Sequence, residues 1–201
     1  MKRVRLLVWA AVVMAGIALL AAQRLNGGEQ SAVGDFGRVP AFALTDQAGR
    51  PVSERDLRGA PWVANFIFTR CPSACPMLTA KFKALQGELG DLPSVRFVSI
   101  SVDPEHDTPA VLAAYARRFS ADTSRWSFLT GSLKDIERTV VEGFKVHIGK
   151  PEVRGDNPTL IDIMHGEHFV LVDREGTIRG YYRAEPAKLA ELKAALRALA
   201  N

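Results

Sequence analysis

Trp62-Val63-Ala64-Asn65-Phe66-Ile67-Phe68-Thr69-Arg70-Cys71-Pro72-Ser73-Ala74-Cys75-Pro76 is the stretch that decides the fold. Its first seven residues are mostly apolar, as in a strand buried on both faces. From Pro76 to about Leu89 the period changes, with Met77, Phe82, Leu85 and Leu89 at helical spacing. Between the two lie Cys71 and Cys75, the only cysteines of the 201-residue chain, in a C-x-x-x-C with a proline after each. Both sulfurs therefore converge on one strand-to-helix turn. A disulfide across so short a loop removes little chain entropy, so the pair is read as chemistry rather than a staple. Pro76 disfavours helical backbone at Cys75, which predicts Cys75 at or just before the N-cap. The partial positive charge and free N–H groups there would favour the Cys75 thiolate. A thiolate serves both disulfide exchange and soft-metal binding, and the spacing does not choose between them.

Working outward, Ala41–Thr45 and Pro51–Ser53 read as strands around the turn Asp46–Arg50. Val95–Ser101 and Trp126–Thr130 are further strands. Thr108–Phe119 is a helix with Thr108 as cap and Pro109 at its first position. Ser132–Phe144 is expected as a third helix, with Leu133, Ile136, Val140 and Phe144 on one face. Lys145–Ile163 lacks a clean period and reads as an insertion. His168–Val172 and Ile178–Tyr182 form a hairpin around Asp173–Gly176, and Pro186–Leu199 a terminal helix. Strands alternating with helices, closed by an antiparallel hairpin and a helix, predict parallel βαβ units. The expected fold is α/β: a thioredoxin-like three-layer sandwich with an N-terminal hairpin, whose chemistry sits at the first strand–helix junction.

The N-terminus sets the compartment. Lys2, Arg3 and Arg5 precede an uncharged run from Leu6 to Ala22, closed by Arg24. The run is at the short end of a membrane span, and the flanking charge keeps its N-terminus in the cytoplasm. An uncleaved anchor is preferred to a cleaved signal, although Leu20-Ala21-Ala22 offers small residues for a peptidase. No cysteine closely follows the run, which argues against a lipoprotein anchor. Residues 1–24 are thus read as basic end and membrane anchor, 25–38 as a tether rich in Gly, Gln and Ser, and 39–201 as one exported domain. The net charge of +4 comes from Lys2, Arg3, Arg5 and Arg24, since the first 24 residues hold no acid. The remainder is balanced, so a nucleic-acid partner is not expected.

Four histidines remain. His106 lies in a polar loop and His147 in the insertion, and both are read as solvated. His165 and His168 flank Gly166-Glu167 before the late strand, whose start should face the cysteine turn in this fold. Either is a candidate third ligand.

Three stretches carry a specific resemblance: Asn65–Pro76, Ser99-Ile100-Ser101-Val102-Asp103-Pro104-Glu105-His106-Asp107-Thr108-Pro109, and Met164-His165-Gly166-Glu167-His168-Phe169-Val170-Leu171-Val172-Asp173. In that order, and spanning the exported domain, they resemble the Sco/SenC family of membrane-anchored copper chaperones. The resemblance implies delivery of copper to the copper centre of cytochrome c oxidase, or maintenance of that centre's cysteines. It implies metal ligands Cys71, Cys75 and His165, with Asp103 near the site. His165 is preferred to His168 by its distance from Gly176. Implied partners are the oxidase subunit carrying the copper centre or another copper chaperone. The donor set agrees: two thiolates select Cu(I) or Zn, and an added imidazole admits Cu(II). Met77 and Met164 are expected as packing rather than ligands. A metallochaperone rather than an enzyme is expected. The alternative is an exported thiol–disulfide oxidoreductase or thiol peroxidase, with Cys71 and Cys75 as the redox pair. Such oxidoreductases use C-x-x-C with a proline before the late strand, and here no proline lies between Pro158 and Pro186.

Overall fold

The computed structural model describes residues 34–146 and 168–200. Seven strands form one sheet: β1 (Ala43–Asp46), β2 (Pro51–Ser53), β3 (Trp62–Ile67), β4 (Arg96–Ser101), β5 (Trp126–Thr130), β6 (His168–Val172) and β7 (Ile178–Arg183). The helices are α1 (Ala74–Glu88), α2 (Pro109–Arg118), α3 (Leu133–Glu137) and α4 (Pro186–Ala200). Strand order is β2-β1-β5-β4-β3-β6-β7. β3, β4 and β5 run parallel, as their helical crossovers require. β1 closes antiparallel on β5, and β6 antiparallel on β3.

Period-two alternation sorts the strand residues onto two faces. On one, Phe97, Trp126 and Phe169 surround Phe82 of α1, with ring centroids 5.2, 5.1 and 4.8 Å away. Tyr115 of α2 meets Phe128 on the same face. On the other, Trp62 and Phe66 pack edge-on against Phe144, 6.0 and 5.4 Å away. This is the three-layer α/β arrangement read from the element order. A buried polar chain crosses the first face. Trp126 Nε1 donates to Ser99 Oγ at 2.9 Å, which donates to Asn65 Oδ1 at 2.6 Å. Ion pairs Lys193–Glu88 and Arg197–Asp91 bind α4 to α1 and the loop that follows it.

The third helix departs from expectation. It is α-helical only to Glu137, and Arg138–Gly143 continues as a π-turn. Thr139 Oγ1 donates to the Asp135 carbonyl at 2.6 Å, and Phe144 N bonds back five residues to Thr139 O. The wider turn keeps Ile136, Val140 and Phe144 fully buried but leaves Leu133 half exposed. Gly143 lies where a Cβ would overlap the Pro40 ring, so the turn and the N-terminal segment fit only without a side chain there. That segment is pinned: Phe36 N bonds to Ile178 O, Ile178 N to Gly37 O, and Val39 N to Gly176 O. Among the described residues no helix is long and apolar enough to cross a membrane. Leu6–Ala22, His147, Met164 and His165 lie outside the described residues.

Candidate metal centre

β3 is buried along its whole length and delivers the chain to the end of the sheet where the parallel strands finish. Val102 N bonds to Ile67 O at that end, and Cys71 N bonds to Phe68 O, closing a tight turn. Ser73 then caps α1, which begins at Ala74. Cys75 therefore sits inside the first helical turn, not at or before the cap. Pro76 is tolerated because it is the third helical residue, where no intrahelical N–H partner is needed. The preference it imposes on Cys75 is a bias, and burial of that side chain overrides it: Cys75 is 2% exposed, packed with Phe68 in the core.

This placement reverses the expected electrostatics. The helix N-terminus serves Cys71: Cys75 N donates to Cys71 Sγ at 3.3 Å. Burial opposes ionisation of Cys71, but the N–H groups of Cys75, Ser73 and Ala74 and the Cys75 thiol outweigh it, holding its thiol below the ordinary value. Burial pushes the Cys75 thiol up to about 12, reinforced by the charges of Cys71 and Asp107 against an opposing bond from the Phe68 backbone. The pair is one half-exposed, readily ionised sulfur and one buried, reluctant one, 3.3 Å from sulfur to neighbouring amide.

The loop after β4 braces the turn. Arg70 Nη2 and Nε donate to Asp103 Oδ2 at 2.7 and 2.9 Å, which places Asp103 beside the site as the resemblance implies. Asp107, which sequence reasoning did not single out, is fully buried and accepts three bonds. These come from Thr69 N (3.1 Å), Thr69 Oγ1 (2.5 Å) and Ser101 Oγ (2.6 Å). Tyr115 was also missed. Its hydroxyl meets Thr79 Oγ1 at 2.9 Å, and burial pushes its pKa up to about 12, with the Cys75 and Cys71 charges adding to the shift. Helical spacing marks Tyr115 only as core, and Asp107 sits in a polar loop with no periodicity; what distinguishes them is proximity across 36 and 38 residues of chain.

His106 is exposed, as read from the sequence. Met77 is 49% exposed, so it is not packing. His168 is half-buried at the first position of β6, opposite Arg183. Because β6 is antiparallel to β3, its first residue lies at the end of the sheet where β3 enters the cysteine turn. Among the described residues no three Cys, His, Asp or Glu side chains converge as metal ligands. The donors they supply are the two sulfurs, a soft pair that fits Cu(I) and leaves room for a third ligand.

A family model described as SCO1/SenC matches residues 32–201. The chain is 37% identical over 142 residues to the SCO1 protein homolog of Bacillus subtilis (strain 168), covering 70% of each chain. Three solved structures superpose well. A SCO1/SenC family lipoprotein from Bacillus anthracis gives a TM-score of 0.72 at 34% identity, covering 82% of this chain and 95% of that one. BsSco, a Sco-family cytochrome c oxidase assembly protein with a disulfide switch, gives 0.72 at 31%, covering 85% and 98%. ScoI of Bradyrhizobium japonicum with copper bound gives 0.65 at 26%, covering 81% and 99%.

Proposed function

This chain belongs to the SCO1/SenC family, and we propose that it carries copper for assembly of the copper centre of cytochrome c oxidase. The observation that supports this best is the cysteine turn itself. Two free sulfurs meet at one end of the sheet, and the start of α1 donates an N–H to Cys71 Sγ, which favours its thiolate. Cys71 and Cys75 are the first two copper ligands. His165 is the third, supported by the position of β6, which begins three residues later at the cysteine end of the sheet.

Cys71 meets the incoming ion first, because it is the more exposed and the more readily ionised sulfur. Cys75 gives up its proton only in the presence of the cation, whose charge offsets the burial that otherwise disfavours the thiolate. The exposed side of Cys71 leaves room for an acceptor's donors, on the oxidase subunit bearing the copper centre or on another copper chaperone. Oxidation of the pair to a disulfide would remove the site, tying copper loading to redox state.

The domain, from about residue 39, would be held in the exported space by a single span at Leu6–Ala22 and a tether over residues 25–38. The test is copper retention. The purified, reduced protein should hold one equivalent of Cu(I) under anaerobic conditions and release zinc more readily. Cys71→Ser and Cys75→Ser should each lose most of the copper. Full stoichiometry in Cys71→Ser, or disulfide reduction at the rate of a dedicated dithiol enzyme without copper, would refute the reading.

A further inference from the structure

The Ser99–Pro109 segment holds a carboxylate that the copper ligands do not use. Asp107 lies in the loop before α2, is fully buried, and binds two separate chain segments. One is Ser101 at the end of β4, whose hydroxyl also accepts from Asp103 N at 3.1 Å. The other is Thr69, held through both its amide and its hydroxyl, two residues before Cys71.

We infer that Asp107 is a positioning residue for the copper site: through Thr69 it fixes the limb of the turn that carries Cys71, so that both sulfurs present to one ion. This rests on the copper reading above. The turn's own bonds are few, Cys71 N to Phe68 O at 3.2 Å and Cys75 N to Cys71 Sγ at 3.3 Å. A second brace, Arg70–Asp103, has its arginine in solvent and is weakened by water and salt. The buried bonds to a carboxylate are the strong ones. An amide at 107 replaces them only in part, because none of its bonds carries a full negative charge on the acceptor. Its one oxygen can accept from Thr69 N and Ser101 Oγ, while its NH2 forces the Thr69 hydroxyl to turn from donor to acceptor.

The test separates positioning from folding and from the copper reading. Asp107→Asn, Thr69→Val and Thr69→Ser would be made in the full chain. Thr69→Ser keeps the hydroxyl; Thr69→Val is nearly isosteric and loses only the bond to Asp107 Oδ1. Amide exchange of the reduced, metal-free protein would be followed on peptides covering residues 68–78, with β4 as control. Asp107→Asn and Thr69→Val should speed exchange at the turn about tenfold or more, with Thr69→Ser and β4 unchanged. After Cu(II) addition, the thiolate-to-copper absorption band should shift or broaden in those two variants and be normal in Thr69→Ser. Unchanged turn exchange, equal loss in Thr69→Ser, or loosening of β4 in Thr69→Val overturns the inference. So does an unchanged copper band in Thr69→Val. If the unmodified chain gives no copper band while exchange follows the expected pattern, the copper role falls and with it this inference, although the brace itself stands.

Discussion

Replacing Cys71 by serine should leave Cys75 almost inert to alkylation at pH 8. Of the effects that raise the Cys75 pKa to about 12, burial is the largest and survives the substitution. The charge and hydrogen bond of Cys71 disappear, so some of the shift relaxes. With the whole shift in place, about one Cys75 in ten thousand is ionised at pH 8, some thousandfold fewer than for a thiol near the ordinary 9.0. A more basic thiolate is intrinsically more nucleophilic, which returns a factor of about 20 over three units. The net slowing against a free thiol is roughly 50-fold before access is counted. With Cys75 only 2% exposed, the observed factor should be larger. Conversely, Cys75→Ala keeps the backbone N–H groups on Cys71 Sγ, so Cys71 should react faster than a free thiol below pH 9. The assay is iodoacetamide labelling of each reduced variant from pH 6 to 10, read by mass spectrometry. Labelling of Cys75 in Cys71→Ser at free-thiol rates would refute the assignment of the two sulfurs. The linkage has a sign as well. Because the folded Cys75 pKa is raised, unmodified protein should lose stability as pH climbs from about 9 toward about 12.

His165→Ala should weaken Cu(I) binding only moderately but nearly abolish the thiolate-to-Cu(II) band, while His168→Ala keeps it. Loss of the band in His168→Ala alone would move the ligand to His168. Phe82→Ala, which empties the centre of the aromatic cluster, should cost about 3–5 kcal/mol in urea unfolding, and a cost under about 1 kcal/mol would contradict the packing. A reporter fused after Asn201 should be active only when exported. Activity in the cytoplasm would remove the anchor at Leu6–Ala22 from the account.

The layered fold was legible because burial on both faces of β3 and the change of period at the cysteines are one-dimensional signals. The position of Cys75 was misread because the rule for a residue before proline is local, while the burial that overrides it is tertiary. The same limit hid the π-turn. Ile136, Val140 and Phe144 keep helical spacing, and only the Thr139 hydroxyl on the Asp135 carbonyl reveals the widened backbone. Asp107 lay in plain view in an acidic loop. Nothing in Glu105-His106-Asp107 says which carboxylate turns inward, because its donors lie in the cysteine turn and at the end of β4.

The two described indoles lie on opposite sides of the sheet. Trp62 leans on Phe144 of the π-turn layer, and Trp126 stacks on Phe128 at 4.9 Å beneath α1 and α2. In a chain carrying Trp9→Phe, each can be kept alone as a fluorophore, so optical melting of the two layers can be timed separately against one shared sheet. Coincident midpoints would mean that the layer of α1 and α2 and the layer that packs on the N-terminal segment melt as a single unit. Separate midpoints would show that the two layers melt independently.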